Sequence, residues 1–357
     1  MRFTLFVSLV AALMAIPCLV LREVKPPLHP LPAGCHLRAL LGLVSGVFIA
    51  MKSANKLTPD GRLASILVGT ILFAASSVFF LAIIAFFISS MYWSKFKRDQ
   101  KREFDPDHHS GNTKRNAINV ICNGGVACAY SLLYLAVQES KTFTLSPPRG
   151  IDASWFFLAI TGTIVCSTAD TWSSEIGSVV RFSMKKRAKQ SKAGLDGGDK
   201  KDVKKEKLPM CRLIIPPFKR VPRGTNGGVS LVGFVAAALA GAWIAFCVLI
   251  GLWWTDGIAL SEENGKLTAK VLFLSLALTG LFGSAIDSVL GALFQFSGKD
   301  LDTRLIVSEP GDGVIHISGQ DILDNHAVNI LSATAAALFG PLCFQLLHNR
   351  LALAESQ

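Results

Sequence analysis

Charged residues are scarce in this sequence. Only 17% of its 357 residues are Asp, Glu, Lys or Arg, whereas 51% are hydrophobic. Soluble globular proteins carry about 25% charged residues. The composition therefore excludes an ordinary soluble globular protein, and the high apolar content excludes intrinsic disorder over most of the chain.

The sequence also lacks the cysteine spacing of a zinc site or a disulfide scaffold. No two of its eight cysteines form a CxxC pair, the spacing common at zinc sites. We expect Cys35 and Cys211 to be free thiols in connecting segments. The other six lie inside apolar runs, where thiols act as small hydrophobic groups: Cys18, Cys122, Cys128, Cys166, Cys247 and Cys343.

Two common catalytic motifs are missing as well. The sequence contains no GxxxxGK[ST] segment, which excludes a Walker-type nucleotide site. It has only seven histidines, and none accompanies a nucleophilic serine motif. A Ser-His-Asp hydrolase is therefore not supported.

Long apolar runs are what the sequence has instead. The run at 63–91 is long enough to be tilted or broken in two, and the run at 37–51 is short, so seven or nine spans are alternatives to eight. The first run is either a retained signal anchor, which fits the rest better, or a cleaved signal peptide. The predicted fold is an all-α polytopic transmembrane bundle of about eight spans. These cover residues 3–21, 37–51, 63–91, 115–137, 153–180, 229–254, 268–296 and 326–348.

Basic residues are unevenly distributed between the connecting segments. Alternate connections contain about 25 Lys and Arg residues, against about six in the opposite connections. The positive-inside rule places the basic set in the cytoplasm. The net charge of +11 is thus a topology signal, and we expect a lipid bilayer, not nucleic acid, as the partner. The basic connections are residues 22–36, 92–114, 181–228 and 297–325.

Two regions are distinguished along the chain. Residues 1–35 are predicted to form an N-terminal span and linker, and residues 36–357 a polytopic membrane domain. Within the latter, residues 185–207 are basic, glycine-containing and of low complexity, which predicts a disordered cytoplasmic loop. A solvated linker is the simpler interpretation of that loop, and binding of anionic lipid head groups is the alternative.

Polar residues concentrate at the predicted cytoplasmic ends of five spans. An ionisable group in lipid is costly unless it is paired or hydrated. Helical spacing places Asp170 and Ser174 on one face of a span, and small polar residues surround Asp287 on another. Because small residues allow close helix packing, we expect Asp170 and Asp287 to lie near each other. The five clusters cover residues 119–126, 167–177, 224–230, 283–291 and 316–329.

A short repeated motif indicates a parallel internal repeat. Asn-Gly-Gly-Val occurs at residues 123–126 and 226–229. Each copy opens a pair of predicted spans whose second member carries an aspartate, Asp170 or Asp287, near its cytoplasmic end. Both pairs begin on the same side, so the repeat axis would follow the membrane normal. A coincidental match of four residues is the alternative.

These residues suit phosphoryl transfer at the membrane surface. Carboxylates are oxygen ligands for a Mg²⁺ ion that bridges phosphates, and glycine pairs leave backbone amides open to phosphate oxygens. The candidate catalytic residues are Asp170, Asp287, Glu175 and Arg115, with Asp170 and Asp287 as Mg²⁺ ligands. The candidate substrate-binding and nucleotide-binding residues are Asn123, Gly124, Gly125, Thr171, Ser174, Arg223, Asn226, Gly227, Gly228, Ser284, Ser288, Asp324, Asn325 and His326.

Simpler interpretations of the same residues stay open. An Asn-Gly-Gly segment at a span boundary is commonly a turn, and intramembrane Ser and Thr are commonly packing contacts. His316 and His326, near Asp321 and Asp324, could ligate a transition metal, although solvated loop residues are the simpler interpretation.

The polar motifs resemble those of the transmembrane protein 19 family, which also contains plant phytyl-phosphate kinase of the vitamin E pathway. The resemblance runs from about residue 36 to residue 340, with the motifs in order. They are residues 115–126, 167–177, 223–230, 283–292 and 324–329.

This resemblance implies a multi-pass protein of the endoplasmic reticulum or another internal membrane. It also implies transfer of a phosphoryl group from a nucleoside triphosphate, CTP in particular, to a prenyl or phytyl monophosphate. We therefore predict an isoprenoid-phosphate kinase. A membrane transporter that uses the same acids, or a non-catalytic membrane protein, is the alternative.

Overall fold

The computed structural model describes residues 31, 34–102, 114–138, 143–180, 210–255 and 257–355. The predicted first span and the basic loop at 185–207 lie outside the described residues. Seven described helices are long and apolar enough to cross a membrane, which confirms a polytopic helical bundle. The helices are α1 (Cys35–Lys52), α2 (Pro59–Ala75), α3 (Ser77–Lys95), α4 (Arg98–Lys101), α5 (Ala117–Val137), α6 (Ala153–Gly177), α7 (Leu231–Trp254), α8 (Glu263–Phe294) and α9 (Asn325–Glu355).

The long apolar run at 63–91 is divided between two helices. Ser76 has an extended backbone (φ −161°, ψ 142°), so it ends α2, and its side chain accepts a hydrogen bond from the Val78 amide at the start of α3. A serine in this conformation is a favourable N-cap. Of the two sequence alternatives for this run, tilted or broken, the structure has the broken one.

Contacts between helix ends fix the direction of each helix. The Ala117 amide at the start of α5 donates to Asp60 Oδ2 at the start of α2, at 2.8 Å, so these two helices run in parallel. The Phe79 ring at the start of α3 contacts the Tyr134 ring near the end of α5, with centroids 5.3 Å apart. Helix α3 therefore returns in the opposite direction.

The same alternation continues through the bundle. Ser94 near the end of α3 donates to Glu175 near the end of α6 at 2.7 Å, and Ser230 before α7 donates to the Gly177 carbonyl that ends α6. One face of the bundle thus carries the ends of α3, α6 and α8 and the starts of α2, α5, α7 and α9. We call this the polar face.

The break at Ser76 corrects the predicted topology in one place. Arg38, at the start of α1, donates through Nε to the Ala74 carbonyl at the end of α2 at 3.1 Å. The end of the 22–36 connection therefore lies opposite the polar face, whereas residues 53–58 lie on it. Lys52, Lys56 and Arg62, which the sequence predicted for the opposite side, therefore lie at the polar face.

Helix α6 is the centre of the molecule. It packs against α3, α5, α7, α8 and α9 and is buried on all sides from Phe156 to Ala169. Phe157 contacts Phe79 and Phe143 with ring centroids 5.1 Å and 5.0 Å away. The outer helices instead expose large apolar side chains, as expected of surfaces in contact with lipid; examples are Leu43, Leu239, Leu278 and Leu346.

Two small antiparallel sheets cover the polar face. One has the strand order β2-β1-β3 and the other β5-β4-β6. They lie between α6 and α7 and between α8 and α9, in segments that the sequence predicted only as connections. The strands are β1 (Met210–Leu213), β2 (Arg220–Pro222), β3 (Gly228–Val229), β4 (Ser297–Asp300), β5 (Ile306–Val307) and β6 (Val314–Ser318).

Candidate functional site

Two buried acids from different helices meet near the polar face. Asp170 precedes Gly177, the last residue of α6, by seven positions, and Asp287 precedes Phe294, the last residue of α8, by the same number. Their carboxyl groups lie within hydrogen-bonding reach of each other. Ser332 Oγ on α9 donates to Asp287 Oδ2 at 3.2 Å. Three helices therefore converge on the acid pair.

Small residues allow α6 and α8 to approach closely at this level. A Cβ added to Gly283 would lie 2.6 Å from the Cys166 sulfur, closer than a real contact permits. Ser284, the next residue on α8, donates through Oγ to Ser173 Oγ at 3.0 Å. The close packing predicted from the small-residue stripes is present, and it brings Asp170 and Asp287 together.

A polar cavity of about 370 Å³ encloses the acid pair. Its volume falls in the range of small-molecule sites, about 300–1,000 Å³. Much of its wall comes from residues that the sequence singled out: Asp170, Ser174, Glu175, Arg223, Asn226, Gly227, Gly228, Ser284, Asp287, Ser288 and Asn325. Other lining residues were not predicted as site residues, among them Lys101, Thr225 and Gln295.

Glu175 is engaged in a buried ion pair at the rim of this cavity. Its Oε2 accepts from Lys101 Nζ, and its Oε1 accepts from Ser94 Oγ. Lys101 also donates to the Trp93 carbonyl at 2.8 Å and is only 2% exposed. Sequence reasoning missed Lys101 because it belongs to a basic segment, and nothing in that segment indicates which lysine turns inward.

Two arginines near the cavity have different environments. Arg223 donates to the Ser178 carbonyl at 2.5 Å and to the Val180 carbonyl at 3.1 Å, so it caps the carbonyl end of α6. Arg115 interacts with the carboxylates of Asp170 and Glu175. Burial lowers the pKa of the Arg115 guanidinium and the two carboxylates oppose that effect, so the side chain remains a cation at neutral pH.

The motif Asn226-Gly227-Gly228 forms a tight turn against α8. Gly227 has φ +73°, and a Cβ there would lie 2.3 Å from Ala292 Cβ. The Asn226 amide donates to Ser297 Oγ at 2.9 Å, and its side chain donates to the Phe296 carbonyl at 3.0 Å. The motif lines the cavity, but its geometry is first that of a turn.

The matching motif Asn123-Gly124-Gly125 lies elsewhere. It is inside α5, where backbone amides bond to carbonyls four residues earlier, so the expectation that it opens a span with free amides is corrected. Asn123 and Gly124 line a second, apolar cavity. The two copies of the proposed repeat agree in helix direction and in the positions of Asp170 and Asp287. They differ in local structure at the Asn-Gly-Gly motif.

The remaining predicted residues make local contacts outside the wall of the polar cavity. Thr171 donates to the Ser167 carbonyl at 2.9 Å, and Asp324 accepts from the Ala327 amide at 2.8 Å as a cap of α9. His316 is exposed and contacts the Gly319 carbonyl at 2.8 Å, whereas His326 is partly buried. Within the described ranges, no group of three or more His, Cys, Asp or Glu side chains is arranged to hold a metal ion.

Comparison with known proteins places this architecture in a family. The chain matches the family model "Integral membrane protein DUF92" over residues 42–198 and 208–337. Protein PGR of Arabidopsis thaliana is 33% identical over 299 residues, which cover 83% of this chain and 93% of the relative. An uncharacterised membrane protein of Methanocaldococcus jannaschii is 23% identical over 297 residues, covering 83% and 89%.

No solved structure matches the chain. The family model nevertheless spans most of the described helices, including both helices of the acid pair. The chain is therefore an integral multi-pass membrane protein that belongs to the DUF92 family.

Proposed function

We propose that this protein is a membrane kinase that transfers a phosphoryl group from CTP to an isoprenoid monophosphate. The observation that carries the proposal is the convergence of Asp170 and Asp287 inside a polar cavity at the end of the helices. The donor and the acceptor follow from the resemblance to the transmembrane protein 19 family and to phytyl-phosphate kinase.

The acceptor needs little activation in this reaction. A phosphate monoester has a second pKa of about 6, so its oxygen is already anionic near neutral pH. That oxygen attacks the γ-phosphorus of the triphosphate, the bond from that phosphorus to the bridging oxygen breaks, and the nucleoside diphosphate leaves with the electron pair. The protein's task is to align two anions and to reduce their repulsion.

The chain offers groups of both signs for this task. Arg115 is a cation that the charges of Asp170 and Glu175 reach from the neighbouring cavity, and it could neutralise phosphate charge. Asp170 and Asp287 repel each other unless a proton or a cation lies between them, and two carboxylates with substrate phosphates are a typical Mg²⁺ environment. Mg²⁺ held by these two acids would supply charge neutralisation at the transferred phosphoryl group.

The proposal includes an orientation. Among the described residues, Lys95, Lys97, Arg98, Lys101 and Arg102 lie at the polar-face end of α3, and the positive-inside rule would place that face in the cytoplasm, where nucleotides are abundant. An internal membrane such as the endoplasmic reticulum is the proposed location.

The direct test is a transfer assay with the full chain purified in detergent. It would contain γ-labelled CTP, Mg²⁺ and a prenyl monophosphate, with ATP in a parallel reaction. We expect labelled prenyl diphosphate and a preference for CTP.

The rival function is transport, which is favoured by the paired acids and the parallel hairpins. Nucleotide-independent uptake of a cation or a solute by proteoliposomes, with no labelled diphosphate in the transfer assay, would replace the kinase by a transporter. Neither activity would indicate a non-catalytic membrane protein.

A further inference from the structure

A narrow apolar groove lies between helices on one side of the bundle. Helices α1 and α3 both pack against α2, and the groove is the gap between them, with α5 on one side. On α3 its wall runs from Phe87 to Phe80, which is about 10 Å at 1.5 Å per residue. Its volume is about 90 Å³, so it suits a slender chain and not a bulky head group.

The groove has a cation at its end on the polar face. Arg115 lies there, and Asn119 and Asn123 follow about one turn apart along α5, whereas nearly all of the remaining surface is apolar. The Arg115 guanidinium interacts with Asp170 and Glu175, which line the polar cavity. Arg115 therefore lies at the polar-face end of the groove, a cation on which the charges of two acids of the polar cavity act.

The other end of the groove is closed by an aromatic pair. Phe80 stacks on Phe73 of α2 with centroids 4.5 Å apart. Gly69 lies opposite, and a Cβ added there would be 3.5 Å from the Phe80 ring, with no other heavy atom within 4 Å. A larger side chain at position 69 would thus extend into the groove at its closed end.

We propose that this groove holds the hydrocarbon tail of the acceptor lipid, with the lipid phosphate at Arg115, and that Gly69 and Phe80 set the tail length. An anionic head group complements Arg115, and the apolar wall complements the tail. The identity of the acceptor as a prenyl phosphate rests on the proposed function. The groove itself is defined by the packing of α1, α2, α3 and α5.

Photolabelling tests the location of the tail. The full chain in nanodiscs would be irradiated with a prenyl monophosphate that carries a diazirine at the end of its tail, and labelled residues would be mapped by mass spectrometry. We expect labels at Phe80, Ile84 and their neighbours in the groove. Labels confined to outward-facing residues of α1, such as Leu43 and Val44, or an unlabelled groove would overturn the proposal.

Binding measurements test the tail-length filter. Gly69→Leu should weaken binding of a prenyl monophosphate of about two isoprene units, whose tail spans the groove of about 10 Å, about tenfold, because small volume changes in apolar pockets are worth about 10-fold or more. Binding of an analogue with one unit should change less than twofold, because its tail ends short of position 69. Phe80→Ala, which removes the closed end, should shift the preference towards longer tails. Phe246→Ala, on a lipid-exposed part of α7, is the matched control and should change neither affinity.

Substitution of the cation separates this proposal from the kinase. Arg115→Gln should weaken binding of the longer and the shorter prenyl monophosphate by the same factor. If lipid binding depends on Gly69 and Arg115 but no phosphate is transferred, the groove proposal stands and the kinase proposal is overturned. If Gly69→Leu and Phe80→Ala transfer phosphate with an unchanged preference for tail length, the kinase proposal stands and the groove proposal is overturned.

Discussion

At the scale of single residues, the site contains two pairs of ionisable side chains, one with opposite charges and one with two acids. Lys101 and Glu175 neutralise each other, with side chains that are 2% and 16% exposed. Asp170 and Asp287 are two acids in contact, a pair that gains from a bound cation or proton. In the proposed transfer the chemistry would lie with Asp170 and Asp287, and we infer a structural role for Glu175, which the sequence had suggested as a catalytic residue.

The structural role of Glu175 makes a prediction about stability. Glu175→Gln leaves Lys101 as a buried cation without its carboxylate and should lower the free energy of unfolding by about 3 kcal/mol, the lower end of the range for a broken buried pair. Glu263→Gln is the control, because its ion pair with Lys266 is exposed and should contribute less than about 1 kcal/mol. Equal losses in thermal unfolding of the two variants in detergent would contradict the assignment.

At the scale of elements, turns and breaks position the site more than helix propensity does. The turn at Asn226-Gly227-Gly228 rests on α8 next to Ala292. Gly227→Ala should destabilise the protein by about 2–3 kcal/mol, through backbone strain at φ +73° and contact with α8. Gly313 has the same φ with open space around it, so Gly313→Ala should cost only about 1 kcal/mol. Matching melting temperatures for the two variants would refute the role of the turn in packing.

Identical sequence motifs differ at this scale for a physical reason. Asn-Gly-Gly-Val continues a helix at 123–126 because Asn116 caps α5 seven residues earlier, and it forms a turn at 226–229 because Ser297 and Phe296 bind Asn226. Ser297 and Phe296 are about 70 residues from Asn226 in the sequence, so local pattern could not predict the turn. The helices and the convergence of the small-residue stripes were predictable because periodicity and side-chain size are local properties.

At the scale of the whole molecule, the number of crossings sets the side of every connection. Apolar runs predicted the bundle, whereas Ser76, a single extended residue, decides that 63–91 is two helices. Lys101 at the cavity and the two sheets also depend on tertiary contacts, and the sequence gives no local signal for them.

This arrangement predicts which cysteine labels share a side. In a variant without native cysteines, Ala54→Cys and Thr303→Cys should react with an impermeant maleimide from the same side of sealed vesicles, and Ser261→Cys from the other. These positions are exposed and lie on the polar face (54 and 303) or opposite it (261). Reaction of the cysteines at positions 54 and 261 from the same side would instead indicate that residues 63–91 form a single unbroken span.

The catalytic role of the acid pair depends on all three scales. It requires Asp170 and Asp287 themselves, the close approach of α6 and α8, and the alternating helix directions of the bundle. Its most direct test compares transfer of the γ-phosphate from CTP to a prenyl monophosphate by the unmodified chain, Asp287→Asn and Asp302→Asn. Asp302 is an exposed acid outside the cavity. We predict a loss of about 100-fold or more in kcat for Asp287→Asn, with an unchanged melting profile, and normal turnover for Asp302→Asn. Normal turnover by a folded Asp287→Asn protein would contradict the account.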